Sequence, residues 1–110
     1  MFAKSVIDSD DFLELSLTAQ ALYFHLAIRA DDDGFINNPK RIQRMIESKE
    51  KDLDELEKKG FIFYFSSGVV VITHWKLHNI VRKDRYRPTI HKDEFESLTC
   101  SENGTYEWYI

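Results

Sequence analysis

The chain has 110 residues, 43% of them hydrophobic and 14% aromatic, which suits one domain with a single apolar core and excludes a disordered chain. Its formal charge of −4 argues weakly against general affinity for nucleic acid, and its single cysteine, Cys100, excludes an internal disulfide and a cysteine-built metal centre. No run approaches the roughly 20 apolar residues of a membrane span, and the opening FAKSVIDSDD lacks the basic and apolar regions of a secretory signal, so a cytoplasmic protein with no membrane partner is expected.

In chain order, FAKSVI alternates loosely and is expected as a short strand. Asp8 or Ser9 then caps a brief helical turn through Asp10, Asp11 and Phe12, with the acids favourably placed at the N-terminal end of the helix dipole. The first long helix has Ser16 or Thr18 as N-cap and an apolar stripe of Ala19, Leu22, Tyr23, Leu26, Ala27 and Ala30. Asp31-Asp32-Asp33 reads as a cap and turn, and Gly34 fits the left-handed position that ends a helix. Phe35-Ile36 leaves room for a minimal strand. Asn38 as cap and Pro39 at the first helical position open a second helix, with Ile42, Met45 and Ile46 toward the core and Lys40, Arg41 and Arg44 on the solvated side.

Ser48 is expected to cap a third helix over 49–59, with Leu53 and Leu56 buried, Gly60 as its stop and Phe61 packing back on its end. FIFYF, SSG and VVVITHW follow as two strands joined by a tight turn, the shape of a wing. Regular alternation ends at Lys76, where KLHNIVRKDRYRPT includes a short helical turn before Pro88. Asn103-Gly104, between SLTCSE and TYEWYI, suggests a hairpin whose last strand carries Tyr106, Trp108 and Tyr109. Helix, turn, short strand, two helices and a wing in this order begin a winged helix-turn-helix. The expected fold is therefore α+β, a three-helix core with a β-hairpin wing over residues 1–92, ending in a basic tail, followed by an acidic C-terminal extension over 93–110.

Charge is distributed unevenly along this frame. Residues 1–75 hold nine Lys/Arg and thirteen Asp/Glu, residues 76–92 six and one, and residues 93–110 none and five. The block at 76–92 thus gives an acidic chain a local cationic footprint. Its Lys76, Arg82, Lys83, Arg85 and Arg87, with Tyr86 able to stack on a base or pack on the core, form the first candidate nucleic-acid site. If about five phosphates were neutralised there, log affinity would fall against log salt with a slope of about −4.5. Lys40, Arg41 and Arg44 extend the patch if the second helix lies beside the tail. The third helix, which a winged helix usually lays in the major groove, reads poorly as a base reader: it carries five carboxylates against four lysines and no Arg, Asn or Gln. A solvated face laced with i,i+4 pairs is expected there.

Other motifs yield no site. An EF-hand loop begun at Asp31 needs glycine at its sixth and glutamate at its twelfth position, where Ile36 and Ile42 stand. His74 and His78 have the spacing of HExxH, but Trp75 replaces the glutamate and no third ligand is evident. Asn103-Gly104-Thr105 matches a glycosylation sequon and has no acceptor role without a secretory signal. Neither a nucleophile with its base and acid nor a glycine-rich phosphate loop is recognisable, so no enzyme, cofactor, metal or small-molecule substrate is expected.

The runs MFAKSVIDSDDFLELSLTAQALYFHLAIRADDDGFINNPKRIQRMI and GVVVITHWKLHNIVRKDRYRPT resemble the N-terminal winged-helix module of replisome organisers from phages and prophages of low-GC Gram-positive bacteria, a family similar to the N-terminal domain of DnaD-type primosome proteins. The resemblance spans about residues 1–92 and is carried by RADDDGF at Arg29 to Phe35, NNP at Asn37 to Pro39, and the HW..HN...KDRY run from His74 to Tyr86. It implies a role in initiating DNA replication, binding origin DNA and helping to load the replicative helicase, with the helicase or its loader as partner. It places the module ahead of a C-terminal region that the chain, ending at Ile110, does not include. DnaD-type N-terminal domains also oligomerise, so a homo-oligomeric or partner-docking scaffold without direct DNA contact is the alternative, and a transcriptional regulator a weaker one. Whether duplex or single-stranded DNA is bound stays open.

Overall fold

A computed structural model describes residues 2–79 and 84–109. Among these the fold is α+β, with helices packed on one small antiparallel sheet and a second two-stranded sheet closing the far side. No helix among the described residues is long and apolar enough to cross a membrane.

The N-terminal segment is helical where a strand was expected: α1 spans Lys4–Ile7. Its loose alternation is overruled by a tertiary tether, because the Ala3 N–H donates to His78 Nδ1 at 2.9 Å and Phe2 packs edge-on against Phe24. Ser9 caps α2 (Asp10–Leu13) by accepting from the Phe12 N–H. Ser16 caps α3 (Leu17–Ile28) through the Ala19 N–H, and Ala19, Leu22, Tyr23, Leu26 and Ala27 are buried. Tyr23 sits in an aromatic cluster with Phe12 at 5.2 Å and Phe61 at 6.0 Å between ring centres.

Gly34 does not end α3, which stops at Ile28 with Arg29 as its C-cap. Its φ of +90° instead serves the turn after the helix, and a Cβ there would lie 2.6 Å from the Trp75 ring. Strand β1 (Phe35–Ile36) follows. Helix α4 (Pro39–Ile46) starts where Asn38-Pro39 indicates, but the Asn38 side chain makes no capping hydrogen bond. Ile42 is buried and Ile46 half-buried, whereas Met45 is 59% exposed, against the expectation of a core residue. Gln43 takes the inward position instead and donates to the Lys49 carbonyl at 3.1 Å, tying α4 to the next loop.

Helix α5 runs Lys51–Lys58, shorter than 49–59, and Ser48 is not its cap. Asp52, fully buried, reaches back to accept from the Lys49 N–H at 2.8 Å, leaving the Ser48 hydroxyl buried with no partner. Glu55 likewise turns inward and accepts from the Ser16 backbone N–H at 2.8 Å. Two of the five expected surface carboxylates thus face inward, Glu55 clamping α5 to the positive start of α3 and Asp52 tying down the start of α5 with the Ser16 hydroxyl 3.4 Å away. Gly60 ends the helix with φ +81°, and the Phe61 N–H returns to the Leu56 carbonyl.

Strands β2 (Ile62–Tyr64) and β3 (Val70–Ile72) form the hairpin, with β3 central in the order β1-β3-β2. Phe35 faces Val71 on one side, and Ile62 and Tyr64 face Ile72 and Val70 on the other. All three residues of β3 are buried, as a central strand requires. After α6 (Trp75–His78) and α7 (Lys92–Glu96), strands β4 (Leu98–Cys100) and β5 (Tyr106–Trp108) make the hairpin signalled by Asn103-Gly104. This hairpin joins the common core: Leu98 and Tyr106 are buried, the Tyr106 N–H donates to the Thr73 carbonyl at 2.8 Å, and Trp108 packs on Phe63.

Candidate nucleic-acid interface

The outer face of α4 presents Lys40, Arg41 and Arg44, all exposed, with no carboxylate between Pro39 and Ile46. Opposite them lies the β2–β3 turn, closed by the Phe65 N–H to Val69 carbonyl bond and by Gly68 at φ +89°. Ser67 on that turn donates to Glu94 of α7 at 2.7 Å, and this bond is the main cause holding the Glu94 carboxyl below its ordinary range. Between helix and turn is a cleft of about 310 Å³ lined by Lys40, Arg41, Arg44, Asn37, Asn38 and Tyr64, together with Pro39 and Gly68.

Arg87 is brought to the same side. A cleft of about 370 Å³ holds Arg87, Arg29, His91 and Asn37, so Asn37 is shared by the two clefts and links the α4 cations to the tail. The tail is held there by the acidic turn. Asp31 Oδ1 accepts from the Asp33 and Phe35 N–H groups, and Asp31 Oδ2 accepts from the Thr89 hydroxyl at 2.5 Å. Asp32 accepts from the Arg87 N–H at 2.9 Å and, through its carbonyl, from the Trp75 indole. Asp33, wholly buried, accepts from the Tyr86 hydroxyl and the Thr89 N–H, and its carbonyl accepts from Tyr106. The turn in the DDDG reading holds, but none of these residues caps α3, whose C-cap is Arg29, and all three aspartates also fasten a segment more than fifty residues away.

Tyr86 is consequently committed by its hydroxyl to Asp33, while its ring is 38% exposed. Loss of solvent contact, then donation to Asp33, pushes its hydroxyl up to about 12. Arg85 is exposed at the turn before it and lines neither cleft. Lys76 is exposed on α6, its ammonium 6.0 Å over the Tyr106 ring, and lines neither cleft. Arg82 and Lys83 lie outside the described residues. Among the described residues no group of His, Cys, Asp and Glu side chains is arranged to hold a metal ion.

The outward positions of α5 stand apart from this cationic path. Lys49, Glu50, Lys51, Asp54, Glu57 and Lys58 are exposed and mixed in sign. A larger cleft of about 530 Å³ between α4, α5 and Tyr64 is bordered by Glu47, Glu50 and Asp54, so the surface turns acidic toward α5. Charge alone therefore makes the outer face of α4 more favourable to an anion than that of α5.

No protein-family model, curated protein or solved structure matches the chain.

Sequence reasoning had not singled out Asn37, Tyr64 and Arg29 as lining residues, nor the acidic triplet as the anchor of the tail. Tyr64 stands in FIFYF among three phenylalanines, and only the strand register places it, rather than Phe63, beside α4.

Proposed function

We propose that this chain is a winged helix-turn-helix module that binds DNA in the initiation of replication, of the kind found at the N-terminus of phage and prophage replisome organisers. Helices α3, α4 and α5 would be its core and β2–β3 its wing. The observation that carries the reading is the carboxylate-free face of α4, joined through Asn37 to Arg87 of the tail. An overall charge of −4 does not oppose it, because fixed cations gathered on one face release counterions locally whatever the far side carries. The module acts by binding and is not an enzyme. A helicase or loader as partner, and self-assembly, rest on the resemblance in RADDDGF, NNP and KDRY.

Fluorescence anisotropy of random duplex and single-stranded oligonucleotides, at low and near-physiological salt, tests the reading. Binding that weakens steeply with salt, and falls when Arg82, Lys83, Arg85 and Arg87 are changed to Ala, is expected. Absence of binding to both strand forms at low salt overturns it. A partner-docking or self-assembly module is then the second reading, favoured by Ile90 at 82%, Tyr109 at 72% and Trp108 at 49% exposure on the C-terminal segment.

A further inference from the structure

We propose that the cleft between the N-terminus of α4 and the β2–β3 turn is a single-strand site, in which Tyr64 offers its ring to an unpaired base while Lys40, Arg41 and Arg44 hold the adjoining phosphates. The proposal rests on the nucleic-acid reading above and deepens it by naming the strand form and the helix that meets it.

Shape is the first argument. A duplex is read by a convex element that enters its groove, and the helix in the position to do so, α5, presents Glu50, Asp54 and Glu57 among its exposed side chains. The α4 side offers a shallow, open cleft instead. At about 310 Å³ the cleft lies at the small end of the ~300–1,000 Å³ typical of small-ligand sites, room for a base and its sugar. The lining is the second argument. Three cations, two exposed asparagine amides and one half-buried tyrosine border it, with no carboxylate. A cationic groove with an aromatic platform is what sequence-tolerant single-strand binding requires, since every base has a face to stack and every linkage a phosphate to neutralise. The positive end of the eight-residue α4 adds to the same potential.

Direction follows from the neighbouring surfaces. Lys40, Arg44 and Tyr64 also border the larger cleft toward α5, where Glu47, Glu50 and Asp54 repel a phosphate chain. On the other side Asn37 opens onto a cleft where Arg87, Arg29 and His91 stand beside Asp31 and Asp32, whose carboxylates already accept from the Thr89 hydroxyl and the Arg87 N–H of the tail. The strand therefore runs from the β2–β3 turn, across Tyr64 and the first turn of α4, toward the tail.

The test is anisotropy of the intact chain with a fluorescent oligo-dT and a duplex of matched length. Four variants are compared, each checked for folding by circular dichroism: Lys40→Ala/Arg41→Ala/Arg44→Ala, Lys49→Ala/Lys51→Ala/Lys58→Ala, Tyr64→Leu and Tyr64→Phe. Oligo-dT is expected to bind more tightly than duplex. The α4 variant should lose at least about tenfold in affinity while the α5 variant stays near wild type. Tyr64→Leu should weaken oligo-dT binding roughly 5- to 150-fold, the span of one base–aromatic stack, and Tyr64→Phe should retain it. A wild-type preference for duplex, loss in the α5 variant with none in the α4 variant, or equal binding by Tyr64→Leu and Tyr64→Phe overturns this inference and leaves the DNA-binding reading standing. Failure of the wild type to bind either strand form removes both.

Discussion

The hydroxyl of Tyr86 donates to the carboxylate of Asp33 across 53 residues of chain, at 2.8 and 2.7 Å to its two oxygens, and Asp33 is wholly buried. A buried carboxylate is tolerated where donors replace lost water, and here those donors are Tyr86 and the Thr89 N–H, both from the tail. Tyr86→Phe keeps the ring and removes one of them. A loss of about 2 kcal/mol is expected, as for a hydrogen bond to a charged group. Urea denaturation of Tyr86→Phe, Asp33→Asn and the double variant isolates the pair, and a coupling energy near zero would show that the tail is held by its Arg87 and Thr89 bonds without this one.

Acid should loosen the N-terminal segment through His78. Burial first, and neighbouring His74 second, lower its pKa from 6.5 to about 4. Nδ1 accepts from the Ala3 N–H, so the neutral ring carries its proton on Nε2, facing the Tyr23 hydroxyl at 2.6 Å. Protonation would set two N–H donors against each other at Ala3. Because the unfolded imidazole titrates higher than the folded one, the unfolded chain takes up the proton first as pH falls below 6.5, and stability drops through the window down to about 4. The full effect is up to about 3 kcal/mol, and His74, its pKa also lowered by burial, acts in the same direction. Chemical denaturation at pH 7 and pH 4.5 checks this. His78→Gln should start less stable and change less between the two, and an unchanged pH dependence would assign the effect to other groups.

The four glycines should split into two classes. A Cβ on Gly34 would meet the Trp75 ring at 2.6 Å, and one on Gly104 would meet the backbone nitrogen of Leu77 at 2.5 Å, while both residues have φ near +90°. Gly34→Ala and Gly104→Ala therefore combine backbone strain with overpacking, about 3 kcal/mol or more each. Gly60 and Gly68 share the positive φ but have nothing within 4 Å, so their alanine variants should cost only about 1 kcal/mol. Melting temperatures that rank the four alike would show that backbone conformation outweighs contact at all of them.

What could be read from the sequence was what local chemistry decides. Ser16, one of two candidate N-caps, Asn38-Pro39 as a helix start, Gly60-Phe61 as a stop and Asn103-Gly104 as a hairpin turn each depend on residues within one turn of the chain, and each is where the pattern allows it. Helix α1 was misread because its tether is His78, seventy-five residues away. Helix α7, with no side-chain capping bond, gives no start signal, and Gln43, not the expected Met45, turns inward, where it donates to the Lys49 carbonyl. The candidate cations were visible by composition, whereas their convergence was not. Only the fold sets Asn37 between Arg87 and the α4 cations, and only sheet register turns Tyr64 to their side.

Salt dependence should report which cations touch phosphate. Each phosphate neutralised on a single strand contributes about −0.7 to the slope of log affinity against log salt. Removing Lys40, Arg41 and Arg44 together should therefore flatten the slope by about 2, and removing Lys49, Lys51 and Lys58 should leave it unchanged. The distinction is sharper than affinity alone, since a variant that merely disturbs the fold weakens binding at every salt concentration without altering the number of counterions released. Oligo-dT titrations between low and near-physiological salt give both slopes. Equal flattening by the two triple variants would mean that phosphates meet a diffuse positive field, with no preference for the face of α4 over that of α5.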